Sequence, residues 1–286
     1  MAARIRLFLV VTMSALLAAC ATAPSAPPAH SAPPPPRDAV TAAAIERALA
    51  GAHRSAENRA RDAFRHPVET LLFFGLKPDM TVVDVWPGAG GWYTEVLAPL
   101  LADKGKLYAA MLPPMPDNEY VTQSLRQFDD KLAARPDLYG KVTVTRLGRG
   151  DFNVAPPGSA DMIVTFRNLH NWMNLGFAKD AVAQMYRALK PGGVLGVEEH
   201  RGPPDKPQDP RAANGYVNEQ YAIDLITSAG FVLEGRSEIN ANPRDTKDYP
   251  QGVWTLPPDY RLGERDRAKY QEIGESDRFT LKFRKP

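Results

Sequence analysis

Apolar residues beyond residue 37 follow two patterns that alternate along the chain. Short apolar runs bounded by glycine, proline or charged residues predict buried strands at 81–86, 106–111, 142–146, 161–166, 194–198, 231–239 and 279–283. Apolar residues spaced three to four apart predict helices at 38–52, 68–76, 92–101, 118–134, 177–189 and 216–229. Because strands that alternate with helices are typical of βαβ units, we expect an α/β domain with a largely parallel sheet.

The first twenty residues have the order of charged and apolar positions found in secretory signals. Arg4 and Arg6 precede an apolar run over residues 7–17, and small residues then lead to Cys20. The run is shorter than the roughly 20 residues that a membrane-spanning helix needs. Its end, Leu17-Ala18-Ala19-Cys20, resembles the lipobox of bacterial lipoproteins, in which the peptide is cut before the cysteine and the cysteine is acylated.

The lipobox resemblance implies an exported protein that is anchored to the bacterial envelope by lipid on Cys20. Ala21 follows the cysteine in place of the aspartate that retains lipoproteins on the inner membrane, which favours the outer membrane, facing the periplasm. The alternative is an ordinary signal that ends in a chance cysteine. Residues 21–37 are rich in proline and alanine and predict an extended linker between the anchor and the folded part.

Residues 38–286 are expected to form one domain with two additions to its alternating strands and helices. Residues 38–66 form an N-terminal helical extension, and residues 240–275 form an insertion between the sixth and seventh strands. An insertion of this length is either a lid over a ligand or a passive wrap across the sheet, and the sequence leaves both open.

The composition excludes several classes of function. The chain has 286 residues, with 35 Lys and Arg against 33 Asp and Glu, and the two excess positive charges lie in the first twenty residues. The remainder is neutral, which argues against nucleic-acid binding because that needs a basic surface. A single cysteine excludes intramolecular disulfides and a multi-cysteine metal site. Nothing in the sequence indicates a protein partner.

A glycine-rich turn follows the first predicted strand. Asp84 lies near the end of that strand, and Gly88, Gly90 and Gly91 follow it. Glycines at a strand-to-helix turn let a ligand approach the backbone closely. A dinucleotide fingerprint would need another glycine where Tyr93 stands, and no P-loop motif occurs in the chain.

Five segments resemble, in order, the motifs of class I S-adenosylmethionine-dependent methyltransferases. They are Val82–Thr94, Asp151-Phe152, Ser159–Val164, Asn168-Leu169-His170 and Leu189–Gly193. The resemblance covers roughly residues 67–286. Three further segments, 86–88, 253–258 and 274–278, are similar to a group of exported bacterial predicted methyltransferases.

The resemblance implies a Rossmann-like class I methyltransferase fold, with a seven-stranded, mostly parallel sheet, an antiparallel last strand and helices on both faces. It implies S-adenosylmethionine as cofactor and a small molecule as substrate. The residues that it assigns to cofactor binding are Asp84, Gly88, Gly90, Gly91, Met111, Asp151, Phe152 and Asn168.

The chain departs from the family pattern at two positions. Trp86 stands where the first glycine of the turn is usual, so the cofactor must approach differently there. The second strand ends in residues 109–112, AAML, where the family usually has an acid that binds the ribose hydroxyls. Asp117 or Glu119 could replace that acid only if the loop folds back.

Two histidines are the catalytic candidates. His170 and His200 follow the fourth and fifth strands, at the sheet edge where ligands bind, and an imidazole can accept a proton near neutral pH. The alternatives are a structural role for His170 and a solvated charged edge, Glu198-Glu199-His200-Arg201, for His200. Ser276 lacks the Gly-x-Ser-x-Gly elbow of a hydrolase nucleophile.

The sequence thus favours an S-adenosylmethionine-dependent methyltransferase that acts on a small molecule or an envelope component. The alternatives are a non-catalytic binding lipoprotein with the same fold and an enzyme that uses the pocket for another nucleoside-like ligand.

Overall fold

Seven strands form one mixed sheet in the computed structural model, which describes residues 38–286. The strands are β1 (Thr81–Val85), β2 (Lys106–Met111), β3 (Thr143–Arg146), β4 (Ala160–Phe166), β5 (Leu189–His200), β6 (Val232–Ser237) and β7 (Arg278–Arg284). Their order across the sheet is β3-β2-β1-β4-β5-β7-β6, and β7 is antiparallel to both of its neighbours. This is the Rossmann-like architecture that the sequence predicts, with an antiparallel last strand.

Eleven α-helices occur in the described residues. They are α1 (Ala39–Leu49), α2 (Ala56–Ala60), α3 (Asp62–Arg65), α4 (Pro67–Phe74), α5 (Thr94–Leu101), α6 (Glu119–Ala134), α7 (Pro136–Tyr139), α8 (Leu169–Leu175), α9 (Ala178–Ala188), α10 (Glu219–Thr227) and α11 (Arg267–Ile273). None of them is long and apolar enough to span a bilayer. The predicted signal peptide, the lipidation site at Cys20 and the linker lie outside the described residues.

Helices cover both faces of the sheet, because successive strand residues point to opposite sides. In β1, Val83 and Val85 face a core that includes residues of α8, α9 and α10. Val82 lies in a second core with residues of α1, α4 and α5, and Asp84 points to this same face. The two apolar faces explain why the central strands appear in the sequence as continuous apolar runs.

The insertion predicted at 240–275 contains regular structure and is fastened to the domain. It includes a 3₁₀ turn, Gly252–Thr255, and helix α11. The backbone N–H of Val253 donates to the carbonyl of Asn214, and the backbone N–H of Asn242 donates to a carboxylate oxygen of Asp277 over 3.0 Å. These contacts hold the segment beside the carboxyl ends of the strands.

Candidate functional site

The carboxyl ends of β1, β4 and β5 lie side by side at one edge of the sheet, because these strands pair in parallel. Ligands of open α/β sheets bind at this edge. Three segments start here: the glycine-rich turn between β1 and α5, the first turn of α8 and the last residues of β5.

Asp84, near the end of β1, is hydrogen-bonded across the glycine-rich turn to the first residue of α5. Its side chain is 1% exposed, and the hydroxyl of Thr94, the first residue of α5, donates to its Oδ2 over 2.9 Å. Burial raises the pKa of Asp84 to about 7, although the hydrogen bond from Thr94 opposes this shift. The pair therefore ties the end of β1 to the start of α5.

Two of the glycines border open space. A Cβ built on Gly88 or Gly90 would meet no atom of the described residues within 4 Å, and Gly88 has a φ of +74° that disfavours other residues. Gly91 has a different environment, because a Cβ there would lie 2.9 Å from Cε2 of Phe128 in α6. Of the predicted cofactor contacts in the turn, Gly88 and Gly90 thus face free volume and Gly91 packs against a helix.

Trp86 has a backbone conformation that is common only for glycine. Its φ is +47°, in the left-handed region that L-residues rarely adopt. The indole N–H donates to the carbonyl of Leu147 over 2.8 Å, and its ring meets Trp172 edge-on with centroids 6.0 Å apart. The ring therefore bridges the turn after β1 and the segment that follows β3.

The residues expected at the ribose end do not form a carboxylate site. Met111 is fully buried and packs with Phe128, so its side chain belongs to the core. Asp117 and Glu119, which follow it, are exposed. The loop thus does not fold back to bring either acid under the sheet edge.

The segment after β3 places Asp151 and Phe152 at the surface of the same edge. Asp151 pairs with Gly148 in a short bridge, and its carboxylate accepts a hydrogen bond from the N–H of Asn153 over 3.1 Å. Phe152 is half-buried, with its ring edge-on to Phe177 at 6.2 Å. Both residues are ordered by their own loop.

Asn168 braces two strands. Its side-chain amide donates to the carbonyl of Val85 over 2.8 Å and to the hydroxyl of Thr165 over 3.2 Å. The residue thus joins the ends of β1 and β4, and this bracing is the contact that the structure shows for it.

His170 is held by a buried carboxylate. Oε1 of Glu199 lies 2.9 Å from Nδ1 of the ring, and Oε2 accepts the backbone N–H of His170 over 3.1 Å. Glu199 is 0% exposed and His170 is 4% exposed. Because a carboxylate accepts this hydrogen bond, Nδ1 carries a ring proton, and in the neutral ring the lone pair is then on Nε2.

His200 lies next to His170, with ring centroids 5.3 Å apart. Its Nδ1 is 2.6 Å from Oγ of Ser276. Burial, then the nearby His170 and then the guanidinium groups of Arg167, Arg278 and Arg65 lower the pKa of His200 well below its usual range. His200 is therefore neutral at physiological pH.

Residues beyond β5 border the two histidines. The ring of Trp254, from the insertion, meets His170 edge-on at 5.9 Å, and Tyr216 meets His200 at 6.4 Å. The hydroxyl of Tyr216 donates to Asp245, which also accepts the backbone N–H of Asp277 over 2.8 Å. The insertion thus supplies an aromatic wall to the site.

A cluster of arginines surrounds two buried carboxylates below this edge. We call it the arginine cluster, and it consists of Arg61, Arg65, Arg167 and Arg278 around Glu198 and Glu275. Arg278 contacts both carboxylates, at 3.2 Å and 3.0 Å. Burial would raise the pKa of Glu275, but the charges of Arg278, Arg65 and Arg61 hold it at about 2. Four guanidinium groups thus face two carboxylates.

Arg65 is the member of the cluster with the fewest partners. Its Nε is buried without a hydrogen-bond partner in the described structure, and a carboxylate oxygen of Glu275 lies 3.8 Å away. Its guanidinium carbon stands 4.5 Å from the centre of the Trp92 ring, one residue beyond Gly91. Burial and then the charge of Arg167 lower the pKa of Arg65.

Sequence reasoning missed the acids and arginines of this edge. The segment Glu198-Glu199-His200-Arg201 has the composition of a solvated surface, yet both glutamates are 0% exposed. The available signal was Glu198, a charged residue at the end of the predicted strand 194–198, because strands of a parallel sheet are buried on both faces. The partners that neutralise these acids come from distant parts of the chain.

Comparison with solved structures shows the fold. A SAM-dependent methyltransferase from Aquifex aeolicus has a TM-score of 0.53 at 19% identity, over 86% of this chain and 98% of that one. The [4+2]-cyclase SpnF has a TM-score of 0.55 at 16% identity, over 86% of this chain and 93% of that one. Phosphoethanolamine N-methyltransferase 2 of Haemonchus contortus, solved with S-adenosyl-L-methionine, has a TM-score of 0.51 at 15% identity, over 86% of this chain and 56% of that one.

No family model and no curated protein sequence matches the chain. The structural likeness confirms the Rossmann-like fold of class I methyltransferases. Because a cyclase is among the similar structures, the fold alone does not decide the reaction, and the site must carry the functional argument.

Proposed function

We propose that this protein is an S-adenosylmethionine-dependent methyltransferase that acts on a small molecule or on a component of the bacterial envelope. The observation that carries the proposal is the open space above Gly88 and Gly90, in the turn between β1 and α5. A donor with an adenosyl group can lie against this backbone, since no side chain of residues 38–286 fills the volume within 4 Å of either Cβ position.

The arginine cluster fits the amino-acid end of the donor. S-adenosylmethionine carries a carboxylate, and Arg65 offers a buried Nε without a partner beside Trp92. Arg65 would hold that carboxylate, with Arg167 adding positive charge. An ionic hydrogen bond in a buried place is among the stronger contacts that a ligand can make.

The nucleoside end would be held without the carboxylate that usually follows β2. The family resemblance assigns Asp151 and Phe152 to the adenine. The rings of Phe152 and Trp86 both contact the ring of Phe177, at 6.2 Å and 6.0 Å between centroids. We expect stacking and the glycine turn to supply most of the contacts there. This arrangement predicts weaker binding than a site with a ribose-binding acid.

When bound, the donor supplies an electrophilic methyl group on a sulfonium, and the chain has to place the acceptor in line with it. His170 can take the proton of the acceptor, because Glu199 fixes its ring with the bare Nε2 available. His200, held at Nδ1 by Ser276, is the second candidate for this role.

Titration calorimetry of the purified protein with S-adenosylmethionine and S-adenosylhomocysteine tests the proposal. Gly90→Val is the informative variant, since the free protein has room for the side chain but the donor would meet it. Gly88→Ala and Gly192→Ala form a matched pair, because both glycines have positive φ and open surroundings. Gly192 lies in β5, near its start, away from the site.

We expect the wild type to bind S-adenosylmethionine and Gly90→Val to lose this binding. The affinity should be weaker in Gly88→Ala and unchanged in Gly192→Ala. Absence of heat and of any thermal shift in the wild type would contradict the methyltransferase proposal. It would favour the alternative of a fold repurposed for another nucleoside-like ligand, which native mass spectrometry of the protein could then identify.

We also propose that the protein is exported and anchored by lipid on Cys20, at the outer membrane facing the periplasm. The support is the lipobox-like segment 17–20 and the linker after it. Labelling of cells with a clickable fatty acid should mark the wild type and leave Cys20→Ala unmarked. Equal labelling of both proteins, or recovery of the wild type in the soluble fraction, would contradict the anchor.

A further inference from the structure

We propose that His170, Glu199 and His200 form a binding site for one divalent transition-metal ion. Each of these residues offers one ligand atom, and the three atoms lie within 4.8 Å of one another. Metal–nitrogen and metal–oxygen bonds are about 2.0–2.2 Å long, so small side-chain shifts would let all three atoms reach one ion.

Two of the three proposed ligand atoms, from His170 and Glu199, are already close to each other. Nδ1 of His170 and Oε1 of Glu199 are 2.9 Å apart and share a hydrogen bond. Neighbouring ligands of a tetrahedral ion stand about 3.3 Å apart, by the geometry of such bonds. An ion can therefore replace the hydrogen between these atoms, and the ring proton of His170 then resides on Nε2.

The carboxylate has a lone pair left for the ion. Glu199 accepts hydrogen bonds from the backbone N–H and Nδ1 of His170 and from the backbone N–H of His200. An ionised carboxylate offers about four acceptor positions, so these bonds leave it with capacity. The two backbone bonds also fix Glu199 in place, which reduces the entropy lost on binding an ion.

Neighbouring residues position the second imidazole. Oγ of Ser276 is 2.6 Å from Nδ1 of His200, so the ring cannot turn freely about its bond. The side chains of Trp254 and Tyr216 lie against the two rings. Metal-binding histidines usually have such outer contacts, which set the orientation of the ring.

The donor set indicates the class of ion. Two imidazoles and one carboxylate suit zinc or iron(II), and three protein ligands leave further positions open for substrate or water. A purely oxygen-coordinated ion such as calcium or magnesium would find too few oxygens among these three residues. The site is therefore of the open, catalytic kind.

The environment favours a negatively charged group at the open position. Arg167 and Arg278 add positive charge near His200, and Glu199 is the one negatively charged ligand of the ion. An anion at the open position would be attracted by both sources of positive charge. An acceptor hydroxyl or thiol on the ion would lose its proton to solvent more readily, because the ion stabilises the anion. This last step rests on the proposed function, and in it the ion replaces the histidine base, because His170 and His200 are then ligands. Metal binding itself does not rest on the proposed function.

Metal titration of the purified protein, prepared without a histidine tag and freed of metal by chelation, tests the site. Co²⁺ and Zn²⁺ are added alone, with calorimetry and the visible absorption of Co²⁺ as readouts. The variants are Glu199→Gln, which keeps an oxygen to accept from His170, and His200→Asn. The control is His53→Gln, because His53 contacts the carbonyl of Glu95 and not this cluster.

We expect one Co²⁺ per chain, at least about tenfold weaker binding in Glu199→Gln and His200→Asn, and unchanged binding in His53→Gln. Anomalous scattering from Co²⁺-soaked wild-type crystals should place the ion between the three residues. No stoichiometric binding, a peak elsewhere, or equal affinity in all variants would overturn the site.

Binding of S-adenosylmethionine, measured separately on the same preparation, keeps the two proposals apart. Metal binding without donor binding would contradict the methyltransferase proposal alone. Donor binding without metal binding would contradict the metal site alone.

Discussion

The hydroxyl of Thr94 donates a hydrogen bond of 2.9 Å to a carboxylate oxygen of Asp84, and this pair joins the end of β1 to the start of α5. Thr94 and Asp84 are both buried, and the bond from Thr94 is the hydrogen bond that the structure shows for this carboxylate. The acid therefore carries a large desolvation penalty when ionised, and its pKa rises to about 7.

The pair makes stability depend on pH in a defined direction. Between about pH 4 and pH 7 the folded protein keeps a proton on Asp84 that the unfolded chain releases. Its contribution to the free energy of unfolding therefore decreases as the pH rises, by up to about 1.4 kcal/mol per unit, and is constant above that window. Asp84→Asn should remove this contribution. The free energy of unfolding of the variant, minus that of the wild type, should therefore be larger at about pH 8 than at about pH 5.

Urea unfolding of Asp84→Asn and the wild type at about pH 5 and about pH 8 measures this change in relative stability. Asp130→Asn, at an exposed aspartate of α6, is the control and should show no such change. If the gap in unfolding free energy between Asp84→Asn and the wild type is the same at both pH values, the assigned titration is wrong.

Glu275 has the opposite electrostatic role. Its pKa of about 2 means that the ionised form stabilises the fold above about pH 4.5, and this stabilisation disappears as the pH falls toward 2. Glu275→Gln should lower the free energy of unfolding by about 3 kcal/mol near neutral pH, because Arg278 and Arg65 lose a buried counter-charge.

Thermal and urea unfolding of Glu275→Gln test this value against Glu264→Gln. Glu264 is exposed and forms a surface pair with Arg267, so its loss should cost less than about 1 kcal/mol. Equal stability of the two variants would show that the arginine cluster does not depend on Glu275.

Much of the fold could be predicted from the sequence, because the buried central strands are short apolar runs between turn residues. The sequence prediction of β1 at 81–86 differs from the observed strand by one residue, and that of β2 agrees. Helix α8 was missed, because it has only seven residues and two of them are asparagines, Asn171 and Asn174.

The electrostatics of the site could not be predicted in the same way. Glu199 binds His170 across 29 residues of sequence, and Arg278 reaches Glu198 from another strand. Such partners are set by strand order and register, which local patterns do not encode. The positive φ of Trp86 is a further feature that the sequence analysis did not predict.

Gly91 should prove to be a packing residue. Gly91→Ala would place a Cβ 2.9 Å from the ring of Phe128 and would keep a φ of +54°. We expect a loss of about 2–3 kcal/mol in unfolding free energy, from backbone strain and overpacking together. Gly192→Ala, with positive φ but open surroundings, should lose only the backbone part.

Urea unfolding of both variants and of Gly91→Ala combined with Phe128→Leu separates the two contributions. The smaller side chain should restore part of the loss, because the contact is with the ring. Identical losses in Gly91→Ala and Gly192→Ala would mean that Phe128 does not restrict this position.

Arg65→Met separates ligand binding from stability. Methionine keeps the length of the side chain and its contact with the ring of Trp92, and it removes a buried positive charge whose Nε has no hydrogen-bond partner among the described residues. Burial and the charge of Arg167 disfavour the charged form of Arg65, and Glu275 keeps its closer partners Arg61 and Arg278. The unfolding temperature should therefore change little. Affinity for S-adenosylmethionine should fall roughly 10- to 100-fold, since one ionic hydrogen bond contributes about 1.5–3 kcal/mol.

Calorimetry and thermal unfolding of the same preparation measure both quantities, with the surface variant Arg267→Met as control. Decarboxylated S-adenosylmethionine lacks the group that Arg65 would hold, so its affinity should be equal for the wild type and Arg65→Met. A loss that is the same for both ligands would show that Arg65 supports the pocket and does not bind the carboxylate. A marked drop in unfolding temperature would show that the cluster already balances the charge of Arg65 in the free protein.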